Sequence, residues 1–282
     1  MTENTPRACL LGHQIGYSRS PLIHRYWLRT LELDGSYDLV DIAPDDFADF
    51  FRNLRERGYV GANITKPHKA AAFRLIDSRD AAAEAIGAVN CVWYEGEHLV
   101  GGNTDASGYL ASLDEQAPGW DLPGGLAVVI GAGGAGGAVA HALISRNLRV
   151  AVVNRTVTRA AELIGRFGSQ VSAHAMTQLP GLLADAVLLT NTSSLGGPGQ
   201  PPLDIDLTPL GGSAVVCDIV YVPLVTPLLR AARQRGHRTA DGLGMLLHQA
   251  APSFARWFGV TPPVTADLRT LAEADIRAST GG

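Results

Sequence analysis

Cysteine is scarce. The 282 residues hold three, Cys9, Cys91 and Cys217, far apart and each within apolar surroundings. So odd and sparse a set excludes a disulfide scaffold and points to reduced, buried thiols in a cytosolic protein. An excess of positive charge is also missing: 23 Lys and Arg stand against 27 Asp and Glu, a formal net charge of −4, with no basic block. That balance gives no general attraction to nucleic acid or to an anionic membrane. No apolar run approaches the length of a membrane span, and Met1 to Arg7 is too polar for a secretory signal. The eight histidines show no metal-ligand spacing with one another or with cysteine, so no metal is expected. Internal repeats and low-complexity segments are absent apart from a short tail, Ser279 to Gly282. What is present is 46% hydrophobic and 18% charged residues, enough for one large domain or two ordinary ones with full cores.

The most informative stretch lies near the middle. Gly125-Leu-Ala-Val-Val-Ile130 is a short apolar run that stops at Gly131-Ala-Gly133-Gly134-Ala135-Gly136-Gly137, and an alanine-rich run from Ala138 to Ile144 follows. Strand, glycine turn and helix in that order form a dinucleotide-binding fingerprint, with Gly131, Gly133 and Gly136 in the G-x-G-x-x-G places. Gly131 allows the tight turn, Gly133 the approach of backbone to pyrophosphate, and Gly136 the packing of helix on strand. The helix N-terminus then offers free N–H groups and its positive dipole end to phosphate.

Around this stretch the chain alternates strands and helices. Ala8–Leu11, Tyr37–Ile42 and Tyr59–Ile64 read as strands, and Pro21 and Pro44 open helices that run to Leu31 and to Gly58. Shorter helical runs cover Ala70–Leu75 and Ala81–Ile86, and Ala88–Tyr94 with His98–Val100 forms a hairpin. After the fingerprint, Val150–Val153, Ala186–Thr190 and Ala214–Ile219 are strands, while Thr158–Phe167 and Thr226–Arg235 are helices. This is the pattern of a doubly wound parallel sheet. Past Asp241 it becomes purely helical. The expected fold is therefore α/β with two domains: 1–105 begins a substrate-binding domain, 106–241 is a Rossmann nucleotide domain, and the helices of 242–282 return to the first. The substrate domain is then discontinuous in sequence.

The second strand of the nucleotide domain ends at Asn154, followed by Arg155 and Thr156, with Arg159 one turn into the next helix. An NAD site usually places an acid here for the ribose hydroxyls. Two guanidiniums and a hydroxyl instead suit a 2′-phosphate, through charge-assisted contacts. NADP is the expected cofactor, and the missing acid argues against an S-adenosylmethionine-dependent methyltransferase.

Polar residues then cluster at the ends of apolar segments. Ser18-Arg-Ser20-Pro21 sets two hydroxyls before a helix, where Ser20 alone could be an N-cap. Gly61-Ala-Asn63-Ile-Thr65-Lys-Pro67-His-Lys69 brings a strand with Asn63 and Thr65 on one face to a turn bearing a lysine. Gly87-Ala-Val-Asn90 and Asn103-Thr-Asp105 add an amide and a carboxylate, and Asp218-Ile-Val-Tyr221-x-Pro223 and Asp241-Gly-Leu-Gly-Met245-Leu-x-x-Gln249-Ala250 complete the set. Gln249, inside a largely apolar helix, is a polar group aimed at a partner.

Taken in order from about Leu10 to Gly259, these motifs make the sequence similar to the shikimate dehydrogenase family. The resemblance implies an NADP-dependent reduction of 3-dehydroshikimate to shikimate, a step of aromatic amino acid and chorismate biosynthesis, by a cytoplasmic monomer or homodimer acting on a small molecule. Carried over by position, Lys69 and Asp105 match the family's catalytic pair. Ser18, Ser20 and Tyr221 match groups that hold the substrate carboxylate, and Thr65, Asn90 and Gln249 match groups around the ring hydroxyls. Gly131, Gly133, Gly134, Ala135 and Gly136 match the pyrophosphate loop, Asn154, Arg155, Thr156 and Arg159 the 2′-phosphate site, and Gly242 and Met245 residues beside the nicotinamide. Some positions depart from the family pattern: Tyr17 stands where histidine is frequent, Cys91 where threonine is frequent, and Lys66 puts a charge beside the catalytic turn. Two alternatives stand beside this reading, a quinate/shikimate dehydrogenase using NAD or NADP and a non-catalytic NADP-binding regulator. Retention of both Lys69 and Asp105 weighs against the second.

Overall fold

The computed structural model describes residues 5–280, which form two compact units. One holds the residues up to Thr104 together with Gln249–Ala272. Its elements are β1 (Arg7–Gly12), α1 (Ser20–Thr30), β2 (Ser36–Asp41), α2 (Pro44–Arg52), β3 (Gly61–Ile64), α3 (Lys69–Leu75), β4 (Ser78–Arg79), α4 (Ala81–Ile86), β5 (Cys91–Glu95) and β6 (His98–Gly102). They build a six-stranded mixed sheet in the order β2-β1-β3-β5-β6-β4, parallel around β1 and antiparallel from β3 to β6. Five of the six β1 residues are buried because both faces of a central strand are covered. Alternate side chains serve opposite layers: Cys9 and Leu11 meet Phe47, Phe51 and Leu54, whereas Ala8 and Leu10 meet Tyr37, Trp93 and Trp257. The helix from Pro44 ends at Arg52, well short of Gly58. Asn53 caps it, its side-chain amide donating to the Asp49 carbonyl, and 53–58 continue as turns.

The second layer encloses a histidine. His24 of α1 is wholly buried, stacked on Tyr37 with ring centroids 4.0 Å apart and edge-on to Trp27 at 5.6 Å. Burial pushes its pKa down to about 3. Between pH 3 and the ordinary value of 6.5 the unfolded chain therefore binds a proton that the folded chain refuses, so this group's contribution to stability is lost as pH falls through that window. The loss between pH 7.5 and pH 4.5 amounts to about 3 kcal/mol. His24→Phe, which keeps the stack and removes the titration, should lose about that much less in urea unfolding at the two pH values. An equal loss in both proteins would refute this account.

The second unit comprises Asp105–His248 and the residues from Glu273. Its elements are α5 (Asp105–Gln116), β7 (Leu126–Ile130), α6 (Gly134–Ser145), β8 (Arg149–Val153), α7 (Val157–Phe167), β9 (Val171–His174), α8 (Leu179–Ala184), β10 (Ala186–Asn191), β11 (Val215–Asp218), α9 (Pro227–Gln234) and β12 (Arg238–Ala240). All six strands are parallel, in the order β12-β11-β10-β7-β8-β9, the doubly wound Rossmann arrangement with β7 at its centre. β9, α8 and β12 are additions to the sequence reading. β12 has three residues and β9 is Val-Ser-Ala-His, both too short or too polar to show a period. The remaining helices, α10 (Gly242–Phe258) and α11 (Ala266–Thr280), are each divided between the units. Gly242–His248 and the residues from Glu273 group with the parallel sheet, whereas the sequence reading sent everything from 242 onward to the other domain.

Candidate active site

In the first unit the polar residues gather where β1, β3 and the hairpin β5–β6 begin or end. The loop after β1 is held by Asp41, whose carboxylate accepts from the backbone N–H groups of Gln14 (3.0 Å) and Ile15 (3.1 Å) and lies 3.2 Å from His13 Nδ1. The Gln14 bond, with help from Ile15 and His13, holds the Asp41 pKa below its usual value. Further along this loop Ser18 N–H donates to the Ile15 carbonyl. Ser20 proves to be the first residue of α1 rather than its cap: Arg19 takes the cap position, and no side chain caps the helix. The Ser20 hydroxyl is thus not spent on capping, and it lies 3.3 Å from that of Ser18.

Thr65 follows β3 directly, its N–H donating to the Leu11 carbonyl at 2.9 Å. A turn with a cis Lys66–Pro67 peptide leads to Lys69, half-buried as the first residue of α3. Asn90 and Gln249 are buried and meet, the Asn90 amide donating to Gln249 Oε1 at 3.3 Å. Thr104 locks them. Its N–H donates to Asn90 Oδ1 at 2.8 Å, its hydroxyl donates to the Gln249 carbonyl at 2.8 Å, and Asn90 Nδ2 donates to the same hydroxyl at 2.9 Å. Sequence reading passed over Thr104, although it sits inside the Asn103-Thr-Asp105 motif. Asn63 shares a strand face with Thr65, a place suited to ligands. It is a buried cross-link: Oδ1 accepts from the Tyr37 hydroxyl at 2.7 Å, while Nδ2 donates to the Asn90 carbonyl (3.1 Å) and to Ser253 Oγ (3.0 Å).

In the second unit α6 begins at Gly134, four residues before the alanine-rich run, so Gly133 is its N-cap and Gly134, Gly136 and Gly137 lie in its first turn. The N–H groups of Gly134, Ala135 and Gly136 therefore belong to the end of a helix that has no intrahelical acceptors for them. Gly131 has φ +109°, a backbone state strained for residues with a Cβ, and a Cβ on Gly136 would collide with the Gly131 carbonyl oxygen. Thr192, just after β10, braces the turn by donating to the Ile130 carbonyl (2.9 Å), with the Gly131 carbonyl also at 3.1 Å. Beyond β8, the Asn154 side chain donates to the Thr156 carbonyl at 2.8 Å. Arg155, Thr156 and Arg159 are exposed, and neither arginine forms an ion pair with any described residue. This donor set, free amides, a glycine cradle and two uncommitted guanidiniums, fits a dinucleotide carrying an extra phosphate.

Asp105 is buried at the start of α5. Tyr221 follows β11 in a loop fixed by Asp218, whose wholly buried carboxylate accepts from Asn191 Nδ2 (2.9 Å), Val220 N–H (3.0 Å) and the Thr226 hydroxyl (2.7 Å). Burial lifts the Asp218 pKa to about 6 even though all three bonds favour the charged form. Gly242 lies against this loop so closely that a Cβ would strike the Ile219 carbonyl, and Met245 is buried one turn on in α10. Among the described residues no cluster of His, Cys, Asp or Glu could hold a metal, and no helix is long and apolar enough to cross a membrane.

Comparisons with known proteins match these features along the chain. The description "Shikimate dehydrogenase substrate binding domain" fits residues 10–92, "Shikimate / quinate 5-dehydrogenase" fits 115–196, and "Shikimate 5'-dehydrogenase C-terminal domain" fits 242–271. A shikimate dehydrogenase (NADP(+)) of Chelativorans sp. is 53% identical over 279 residues, 99% of either chain. The chain belongs to the shikimate dehydrogenase family. Another member, the shikimate dehydrogenase (NADP(+)) of Methylocella silvestris, is 54% identical over 98% of this chain and 99% of its own. Among solved structures, shikimate 5-dehydrogenase of Thermus thermophilus, in complex with NADP(H) and shikimate, superposes with a TM-score of 0.84 at 35% identity, covering 96% of this chain and 99% of that one. Quinate dehydrogenase of Corynebacterium glutamicum, in complex with NAD, gives 0.86 at 30% identity over 95% and 99%.

Proposed function

We propose that this member of the shikimate dehydrogenase family is an NADP-dependent oxidoreductase that interconverts 3-dehydroshikimate and shikimate. Similarity at 53–54% identity over nearly the whole length to NADP-dependent shikimate dehydrogenases carries the reading. The uncommitted Arg155 and Arg159 beyond β8 support the choice of cofactor.

When bound, NADPH supplies the hydride that the ketone carbon accepts. The chain's own residues then have the proton and the charge to manage. Negative charge grows on the ketone oxygen as the carbon is reduced, and a positioned donor stabilises it. Lys69 is that donor in the reductive direction and the acceptor of the alcohol proton in the oxidative one, and Asp105 accepts a hydroxyl hydrogen bond from substrate. Ser18, Ser20 and Tyr221 hold the substrate carboxylate, while Thr65, Asn90 and Gln249 pair with its ring hydroxyls. The lock that Thr104 places on Asn90 and Gln249 supports the last assignment, since amides with fixed orientation discriminate between donors and acceptors. A pocket built to pair hydroxyls rejects analogues lacking them, because its own polar groups would be left unsatisfied.

The likeness to the quinate dehydrogenase with NAD supports a second reading, oxidation of quinate. Steady-state oxidation of shikimate and of quinate, each with NADP and with NAD, separates the two. The expected result is a kcat/KM for shikimate with NADP at least about 100-fold above quinate with NAD. Preference for quinate with NAD would overturn both substrate and cofactor.

A further inference from the structure

Lys66 has no part in the site as set out above. Its side chain is exposed, yet its backbone is pinned from both sides. The Lys66 carbonyl accepts from His13 N–H at 3.1 Å, and the adjoining Thr65 N–H and His68 N–H donate to the Leu11 and Thr65 carbonyls at 2.9 Å each. The Lys66 ammonium lies 5.3 Å from the centroid of the Tyr17 ring, within the range at which a ring face attracts a cation. Tyr17 is anchored as well: its carbonyl accepts from Arg19 Nη1 at 2.6 Å, and the next residue, Ser18, donates its N–H to the Ile15 carbonyl at 2.8 Å. The contact therefore joins two fixed loops and places a full positive charge against the residue that precedes Ser18.

The chemistry of the paired serines gives that charge a use. Hydroxyls 3.3 Å apart can each donate to one oxygen of a carboxylate, but they are neutral. An anion bound by neutral donors gives up hydration without gaining a countercharge. Segments 13–20 and 65–69 contain Arg19, Lys66 and Lys69 and no Asp or Glu, in a chain whose net charge is −4. Asp41, which abuts the first of them, is engaged by two backbone N–H groups and His13.

We propose that Lys66, held over the Tyr17 ring, is a specificity-determining cation that draws the substrate carboxylate toward Ser18 and Ser20. The inference rests on the functional reading above and adds to it a residue acting through its field rather than through contact. Such an effect acts on capture of the anion and weakens with ionic strength, since mobile ions screen an exposed charge.

The test is steady-state oxidation of shikimate and of its uncharged methyl ester by the wild type, Lys66→Gln and Lys66→Arg, at low salt and at about 0.5 M salt. Lys66→Gln should lower kcat/KM for shikimate about fivefold at low salt, with the gap closing at high salt and with kcat and the KM for NADP unchanged. Lys66→Arg should retain the wild-type value and salt slope, and the ester should not distinguish the three proteins. An unchanged kcat/KM in Lys66→Gln, an equal loss on the ester, or a loss that appears in the KM for NADP would each overturn the proposal. A wild type inactive on shikimate would instead overturn the functional reading on which it rests.

Discussion

Lys69→Ala should lower kcat for shikimate oxidation by about 10³-fold, within the 10²–10⁴ range that a positioned general acid–base contributes, and should leave the KM for NADP within about twofold. Lys69 is the first residue of α3, a position where alanine favours helix, so the helix itself is kept. The cofactor loop, in the other unit, keeps every one of its backbone contacts. What disappears is the one group proposed to take the alcohol proton as hydride leaves. The oxyanion-like charge of the transition state then loses its donor while substrate in the ground state loses much less, and kcat falls rather than KM rising. Steady-state rates at saturating shikimate and NADP, with single-turnover measurements of NADPH formation, read this directly. A kcat within tenfold of the wild type would remove Lys69 from the chemistry.

The second large effect is expected at the other end of the cofactor. The double variant Arg155→Ala, Arg159→Ala should raise the KM for NADP by about 10² to 10⁴, because each charge-assisted contact to a phosphate contributes about 1.5–3 kcal/mol. The KM for NAD should move no more than about twofold, since NAD carries nothing for these groups to hold. Both side chains are exposed and form no ion pair with a described residue, so their removal leaves packing and stability unaltered. Parallel KM measurements with both cofactors, alongside a thermal unfolding check, separate recognition from damage. Equal losses for NADP and NAD would mean that the 2′-phosphate is held elsewhere.

Both predictions draw on residues that local signals in the sequence single out. The fingerprint needs only a strand, a turn and the first turn of a helix in succession, and Gly131, Gly133 and Gly136 are spaced for it within six residues. Asn154, Arg155 and Arg159 follow the next strand at the position where a ribose must lie in any sheet of this winding. Local signals also misled. The apolar spacing that carried the second helix to Gly58 runs past the helix end, because Leu54 is buried in the turns that follow it. Ser20 before proline resembles an N-cap, but the helix starts one residue earlier and leaves that hydroxyl without a capping role.

By itself the amino-acid sequence determined the alternation of elements, the nucleotide-binding turn, the preference for a 2′-phosphate and the polar residues available for a hydroxylated acid, since each is written in residue types at short spacing. Only the tertiary structure decided which of those polar residues hold one another. Asn90 and Gln249 are 159 positions apart and meet through Thr104, and Asn63 reaches Ser253 across 190. It also decided that His24 lies buried between aromatic rings and that Lys66 lies over Tyr17. Periodicity reports which face of an element is apolar, but not which distant element covers it, and hydrogen-bond partners and burial are set by that second fact.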